Sequence, residues 1–354
     1  MEKKIIKIFS IVLSCFLVVT MVLLLGIDDI HGKSEVLAKD IKEKRENKEM
    51  LAKIVSEEEE KASEIEAFSK KGQIRITLPE GITPDSVTID EDVLDRTVTV
   101  AIPGADSQYL ENDPIMGSAG RIDDLDAYTN GGKAYFEIEL NGIYAPIKTA
   151  EDGYVYLDFA NPHDVYENVV VIDAGHGGKD VGAVEKDTYE KDIDLNIVLK
   201  LKELLDQDPT IKAYYTRLED DNPSLEERVG LANDVMADVF LSVHNNSISG
   251  FGAKTTSGTQ VLYYASDPTM LSLEFADICL EKLCDTLRSA NRGLVNGDDI
   301  YIIHNSKSPV ALVEVGFLSN PEDLLKLNDS YYQGQCAKAL YESIKEMINK
   351  TYKE

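Results

Sequence analysis

Tryptophan is absent from this 354-residue chain, and only four cysteines and five histidines occur. Without tryptophan, any aromatic surface that stacks on a sugar ring must be built from tyrosine or phenylalanine. The cysteines include no CxxC pair, so the sequence indicates neither a cysteine-ligated zinc site nor a disulfide framework. Basic residues are also scarce, because 36 Lys and Arg stand against 64 Asp and Glu. The resulting net charge of -28 argues against a broad surface that binds nucleic acid.

The one long hydrophobic run lies at the N-terminus. Residues 8–27 are 20 consecutive uncharged residues, and about 20 are needed to cross the hydrocarbon core of a bilayer. Three lysines precede the run and two aspartates follow it, which predicts a cytoplasmic N-terminus. We expect residues 1–30 to be a cytoplasmic stub and single-pass bacterial membrane signal-anchor, with the rest extracytoplasmic. Cleavage of this segment, which would give a secreted protein, is the alternative.

The composition changes twice after this run. Residues 31–72 mix lysine with glutamate and contain few apolar residues, which is typical of a charged helical or disordered stalk. Residues 73–162 contain segments such as IRITL and TVTVAI, in which apolar and polar residues alternate. Clusters of Gly, Pro, Asn and Asp separate these segments. The pattern predicts a small β-rich domain of five to seven strands with a binding or spacing role.

Residues 166–354 alternate between apolar runs and helical periodicity. The runs suited to strands are at residues 169–172, 213–216, 239–243, 261–264, 300–303 and 310–315. Helical spacing of apolar residues occurs at 192–206, 269–289 and 331–350. This alternation predicts an α/β domain with a mainly parallel sheet and helices on both faces.

Two of the five histidines follow or end buried strands of this domain. His176 lies in DAGHGG and His244 in SVHNNS, and ligands of open α/β sheets bind beyond the carboxyl ends of strands. Two such histidines favour a metal site, whereas a single one is more often structural. Glu190, at the start of a predicted helix, is either a third ligand or a carboxylate that stabilises the helix N-terminus.

An acid interrupts the apolar strand VALVEVGF at Glu314. Burial of a carboxylate without a partner costs free energy, so this residue needs a salt bridge or a chemical role. A salt bridge to Arg217 or Arg228 is one explanation. The other is general base and general acid catalysis beside a metal-bound water.

Residues 168–350 resemble the catalytic domain of the zinc-dependent N-acetylmuramoyl-L-alanine amidases of the amidase_3 type. The matching stretches, in the family's order and spacing, are VVIDAGHGGKDVGA, YEKDIDLNI, YTR, ERVGLAND, LSVHNNS, GTQVLYY and PVALVEVGFLSNPED. The resemblance implies that His176, Glu190 and His244 bind Zn²⁺ and that Glu314 is the catalytic acid–base. One departure, Val181 where many members have proline, concerns only the turn after the glycines.

The resemblance also implies the reaction. The expected enzyme is a peptidoglycan hydrolase that cleaves the amide bond between N-acetylmuramic acid and L-alanine of the stem peptide. Asn246, two residues past His244, is the candidate substrate-binding residue. Residues 73–162 resemble the β-rich wall-targeting domain that often precedes such catalytic domains. The alternatives are a non-catalytic, membrane-tethered wall-binding protein and another zinc peptidase acting on stem peptides.

Overall fold

A computed structural model of the chain describes residues 74–112, 114–117, 120–151 and 153–351, together with Met50 and Lys53. The predicted membrane anchor lies outside the described residues, as does the predicted stalk apart from those two positions. Both therefore stay predictions. No helix within the described ranges combines the length and the apolar composition that crossing a bilayer requires.

Residues 74–160 form two four-stranded antiparallel sheets with the strand orders β4-β1-β8-β7 and β2-β3-β6-β5. In chain order the strands are β1 (Ile74–Thr77), β2 (Thr88–Asp92), β3 (Thr97–Pro103), β4 (Ile115–Gly117), β5 (Ile122–Asn130), β6 (Lys133–Leu140), β7 (Ala145–Glu151) and β8 (Tyr154–Ala160). Ile76, Val100, Phe136 and Leu157 are fully buried in one core that both sheets share. This core forms because alternate side chains of each strand point to the same face.

The eight strands exceed the predicted five to seven. The sequence TIDED of β2 contains no buried residue, and β4 is only three residues long. Neither strand carries the apolar alternation on which the prediction depended. Short helical segments complete this part of the chain: a 3₁₀ turn (Pro84–Ser86), α1 (Ser107–Glu111) and α2 (Pro162–Val165).

The second part of the described chain is a six-stranded sheet with the order β12-β9-β13-β16-β14-β15, plus the hairpin β10-β11. The strands are β9 (Asn168–Ala174), β10 (Val184–Glu185), β11 (Thr188–Tyr189), β12 (Ile211–Tyr215), β13 (Val239–Asn246), β14 (Thr259–Tyr263), β15 (Asn291–Asn296) and β16 (Val310–Phe317). The sheet is mixed, because β14 runs antiparallel to β16 while the other pairings are parallel.

Helices cover both faces of this sheet. They are α3 (Glu190–Leu205), α4 (Leu225–Asp234), α5 (Leu271–Leu287), α6 (Tyr301–His304), α7 (Pro321–Leu327) and α8 (Ser330–Thr351). Helices α3, α5, α7 and α8 pack on one face, and α4 and α6 on the other. On α3, Ile193, Ile197 and Leu201 recur at helical spacing and are buried. Each such side chain contributes about 1.5–3 kcal/mol of hydrophobic stabilisation.

The prediction of a strand at residues 300–303 is wrong. This segment is the helical turn α6, whose Ile302 and Ile303 are buried. A short apolar run is equally compatible with a buried turn of helix. The strand of this region is β15, which has no fully buried residue and therefore no apolar signature in the sequence.

Helix α4 begins with a capping box formed by Ser224 and Glu227. Ser224 Oγ accepts a hydrogen bond from the Glu227 backbone N–H at 3.2 Å, and Glu227 Oε2 accepts one from the Ser224 backbone N–H at 2.7 Å. Both otherwise unsatisfied N–H groups of the first turn are thereby paired. This fixes the beginning of the helix that carries Arg228, a residue of the site described below.

Candidate metal centre

The structure brings His176, Glu190 and His244 together near the carboxyl ends of β9 and β13. Glu190, the first residue of α3, places Oε1 at 3.2 Å from His176 Nε2 and 3.1 Å from His244 Nδ1. The two imidazole rings lie 4.8 Å apart between centroids. Tetrahedral zinc with bonds of about 2.0–2.1 Å separates its ligand atoms by about 3.3 Å. The two Glu190 distances therefore fit edges of one tetrahedral site.

Asp180 fixes the orientation of the His176 ring. His176 Nδ1 lies 2.9 Å from Asp180 Oδ2, so a proton on Nδ1 is donated to that carboxylate. The Nε2 atom is then left facing Glu190. A carboxylate on the second ring nitrogen of a ligating histidine sets its tautomer and raises its basicity.

The charges and hydrogen bonds of the cluster shift the pKa values of His176 and Glu190 in opposite directions. Burial alone would lower the pKa of His176, but hydrogen bonds and charges from Glu190 and Asp180 outweigh it and raise that pKa to about 9. Burial alone would raise the pKa of Glu190, but the neighbouring imidazoles of His176 and His244 hold it below its ordinary value. Glu190 therefore stays ionised across the neutral range, as a carboxylate ligand must.

Glu314 lies in β16, directly opposite His244 of β13 in the parallel register and opposite Gln260 of β14. Burial raises its pKa to about 7, and Glu190 adds to this while the imidazoles oppose it. Its Oε2 has no hydrogen-bond partner among the described residues. A buried carboxyl group with a pKa near neutrality is typical of a catalytic acid–base.

The salt-bridge explanation of Glu314 is wrong, because both arginines bind elsewhere. Arg228 donates to Asp173 Oδ1 and to the Ala174 carbonyl oxygen, each at 2.7 Å, and to the His176 carbonyl oxygen at 2.5 Å. Its guanidinium group therefore fixes both the buried end of β9 and the backbone of the first histidine. His176 has a φ of 58°, in the left-handed region that residues other than glycine rarely adopt.

Arg217 holds the same segment from the other side. Its Nε donates to the Ala174 carbonyl oxygen at 3.0 Å, and its Nη2 donates to the Gly175 carbonyl oxygen at 2.6 Å. The Nη2 atom also donates to the Lys191 carbonyl oxygen at 2.9 Å, next to Glu190. One side chain thus connects the loop of His176 to the first turn of α3. The contacts of Arg217 and Arg228 are therefore structural.

Asp194 is a site residue that sequence reasoning missed. It lies one helical turn after Glu190, and the possible ligand atoms of Asp194, His176, Glu190 and His244 all lie within 4.8 Å of one another. Asp194 is fully buried, and its Oδ1 accepts a hydrogen bond from Asn245 Nδ2 at 2.7 Å. Burial, reinforced by the charge of Glu190, raises the pKa of Asp194. The spacing of four residues from Glu190 was the available signal, since it places both carboxylates on one helix face.

Asn246, the candidate substrate-binding residue, is half-buried at the end of β13. The register of β13 against β16 shifts between His244 and Asn246. The Asn246 carbonyl oxygen accepts a hydrogen bond from Leu318 N at 2.8 Å. This hydrogen bond fixes the Asn246 backbone to the segment that follows β16, while a substrate contact of its side chain stays a prediction.

The family model described as N-acetylmuramoyl-L-alanine amidase matches residues 170–346, half of the chain. This chain belongs to that family. His176, Glu190, His244 and Glu314 all lie within the matched residues of the amidase domain. The family and the enzyme class predicted from the sequence are therefore confirmed.

Individual relatives and one solved structure are similar to the same part of the chain. The uncharacterized protein YqiI of Bacillus subtilis strain 168 is 35% identical over 175 residues, which cover 49% of this chain and 82% of that protein. The germination-specific N-acetylmuramoyl-L-alanine amidase of the same organism is 31% identical over 194 residues, covering 50% and 78%. The solved catalytic domain of CwlV, an N-acetylmuramoyl-L-alanine amidase from Bacillus (Paenibacillus) polymyxa var. colistinus, is 34% identical. It matches 51% of this chain and 98% of that domain with a TM-score of 0.48.

The glycine before the first histidine is required by the packing of the amidase site. A Cβ atom at Gly175 would lie 2.3 Å from His244 Cε1, far inside van der Waals contact. We expect Gly175→Ala to displace the His244 ring and weaken zinc binding by at least about tenfold. Competition with a chromophoric chelator measures this. Gly230→Ala is the control, because nothing lies within 4 Å of its Cβ position in α4. Equal zinc affinity of the Gly175→Ala and wild-type proteins would contradict the packing argument.

Proposed function

We propose that this protein is a peptidoglycan hydrolase that cleaves the amide bond between N-acetylmuramic acid and L-alanine of the stem peptide. The observation that carries the proposal is the convergence of His176, Glu190 and His244 beside Glu314, whose buried Oε2 has no hydrogen-bond partner among the described residues. Two histidines and a glutamate are a recurrent hydrolytic zinc set that leaves a coordination position open. Membership of the amidase family supports the choice of bond.

His176, Glu190 and His244 would hold the zinc ion. When bound, zinc supplies a Lewis acid that activates water at neutral pH and polarises the scissile carbonyl group. The two imidazoles must be neutral at the ligating nitrogens, which Asp180 favours for His176 by accepting the Nδ1 proton. The ionised Glu190 is the one negatively charged ligand of the set. A site that holds Zn²⁺ therefore keeps a net positive charge, which attracts the carbonyl oxygen of the substrate.

Glu314 performs the proton transfers in this proposal. It removes a proton from the attacking water and then donates that proton to the departing amine of L-alanine. The products are a free alanine amine and the lactyl carboxylate of the sugar. A pKa of about 7 suits both steps, because acid and conjugate base are both populated near neutral pH. Positive charge of a bound ion would lower this pKa and favour the base form at the start of the cycle.

The composition of the digestion products tests the function. Sacculi incubated with the purified protein should release intact stem peptides with a free N-terminal alanine and leave glycan strands without peptides. Mass spectrometry of the products identifies both, and a zinc chelator should abolish them. Cuts between stem amino acids would instead establish a zinc peptidase. An absence of products from protein that holds zinc would establish a wall-binding role.

Zinc binding should displace a proton from the cluster. Because the pKa of His176 in the metal-free protein is about 9, an imidazolium proton must leave at neutral pH. The apparent zinc affinity should therefore rise about tenfold per pH unit between about pH 7 and about pH 9, and then level off. Chelator competition at several pH values measures this. Asp180→Asn removes one of the groups that raise the pKa of His176, so the zinc affinity of this variant should level off at a lower pH. An affinity that is independent of pH below about 9 would contradict the assignment.

The predicted location of the enzyme is a separate part of the proposal. The substrate lies outside the cytoplasmic membrane, and the predicted signal-anchor at residues 1–30 would place the catalytic domain on that side. The β-rich domain would contribute wall targeting. Membrane fractionation with protease added to intact protoplasts tests this arrangement, because a catalytic domain protected from the protease would be cytoplasmic.

A further inference from the structure

A buried pair, Asp194 and Asn245, lies directly behind the metal cluster. We propose that these two residues are a positioning pair that fastens α3 to the end of β13. In this way they hold Glu190 and His244 in the geometry that binds the metal. The inference rests on the proposed function, since it assumes that the cluster binds zinc.

The contacts of Asn245 carry the inference. Its side-chain Nδ2 donates to Asp194 Oδ1 at 2.7 Å, and its backbone N–H donates to Glu190 Oε1 at 3.0 Å. One residue of β13 therefore binds two carboxylates that lie one turn apart on α3. Because Asn245 follows His244 directly, these two hydrogen bonds connect the strand that carries one ligand to the helix that carries another.

Both side chains of the pair are buried, so water does not replace the hydrogen bond between them. Asp194 is 0% exposed and Asn245 is 1% exposed. Asp194 Oδ2 and Asn245 Oδ1 have no hydrogen-bond partner among the described residues. Loss of either side chain would leave a buried polar group unsatisfied, which costs free energy and loosens the helix–strand contact. Hydrogen bonds in the layer behind the ligands typically change metal affinity 10–100-fold.

The position of Asp194 argues that it is not itself a ligand. The side chains of His176 and His244 are 23% and 16% exposed, so the cluster opens to solvent on their side. Asp194 is 0% exposed, and its Oδ1 is already bound to Asn245. A metal ion that enters from solvent therefore meets the two histidines before Asp194.

Substitutions of the full-length protein separate the positioning role from ligation. Asp194→Ala and Asn245→Ala should each weaken zinc binding about 10–100-fold in chelator competition. Asp194→Asn should stay within about threefold of the wild type, because its amide oxygen still accepts the hydrogen bond from Asn245 Nδ2. Asp192→Ala is the matched control, an exposed acid on the same helix, and should leave the affinity unchanged.

The double variant and the zinc-free protein complete the test. If the two side chains act through each other, the double alanine variant should bind zinc about as tightly as the single variant with the lower zinc affinity. Thermal unfolding of zinc-free Asp194→Asn and Asn245→Ala confirms that these variants fold. Additive losses, or a zinc affinity unchanged in Asp194→Ala, would overturn the pairing. An equal loss in Asp194→Asn and Asp194→Ala would show that Asp194 is a ligand. A wild-type protein that binds no zinc would overturn the proposed function itself.

Discussion

Replacing Glu314 with glutamine is expected to lower kcat by a factor of about 10²–10⁴ while zinc stays bound at the wild-type stoichiometry. Glutamine has nearly the same volume and keeps an oxygen that faces the cluster, but it cannot accept and return a proton. The three proposed ligands, His176, Glu190 and His244, are unchanged by the substitution. Release of free alanine amines from sacculi gives kcat, and metal analysis of the same sample gives the zinc content.

The matched control for this variant is Glu322→Gln, since Glu322 is an exposed acid that follows the same strand. It should keep full activity. A Glu314→Gln protein that releases alanine amines at the wild-type rate would show that another group transfers the proton. Loss of zinc together with activity would instead show that Glu314 is needed to hold the metal.

The same substitution should stabilise the zinc-free protein at neutral and higher pH. Burial raises the pKa of Glu314 to about 7, above the ordinary value of 4.5. The contribution of neutral Glu314 to the free energy of unfolding is fully present below about pH 4.5 and is lost as the pH rises through about 7. Glutamine has no charged form, so this loss should disappear in denaturant unfolding of the zinc-free variant. A group that lowers stability where it is active is common at catalytic sites.

Parts of this site were predictable because they break a local sequence rule. Glu314 stands in an otherwise apolar strand, and His176 follows a buried strand in a glycine-rich turn. Glu190 is different, because a carboxylate at a helix start is also explained by the helix dipole. Only the family resemblance favoured its role as a ligand, and the structure then placed it between the two imidazoles.

Other features could not be predicted because their signal exists only after folding. The hydrogen bond between the side chains of Asp194 and Asn245 joins residues that are 51 positions apart in the sequence. Nothing in either local sequence indicates the partner. The antiparallel pairing of β14 with β16 was equally unpredictable. An apolar run has the same appearance in the sequence whether its strand lies parallel or antiparallel to its neighbour. Each of these depends on how separate elements meet in three dimensions.

The second large effect is expected from Arg228→Met, which should lower the free energy of unfolding by about 3–5 kcal/mol. Arg228 and Asp173 form an ion pair with N and O atoms 2.7 Å apart, and their side chains are 4% and 1% exposed. Burial alone would raise the pKa of Asp173, but Arg228 and other neighbours hold it below its ordinary value, so the carboxylate is charged. Methionine leaves that charge buried without its partner.

In the same variant the His176 carbonyl oxygen would lose the donor Arg228, and the Ala174 carbonyl oxygen would keep only Arg217 Nε. His176 holds a left-handed backbone conformation, so its ring should lose its fixed position and zinc affinity should fall together with stability. Denaturant unfolding of the zinc-free protein and chelator competition measure the two effects. Asp173→Asn combined with Arg228→Met should be less destabilised than the sum of the single variants, because both charges are removed.

A surface ion pair of this chain provides the matched control. Arg96 and Asp234 are 3.1 Å apart between Nη2 and Oδ2, but their side chains are 46% and 47% exposed. Arg96→Met removes the same chemical group and should change stability by no more than about 1 kcal/mol, because water replaces the lost contact. If Arg228→Met were no more destabilising than Arg96→Met, the His176 carbonyl oxygen would have another donor. The loop that carries His176 would then not depend on Arg228.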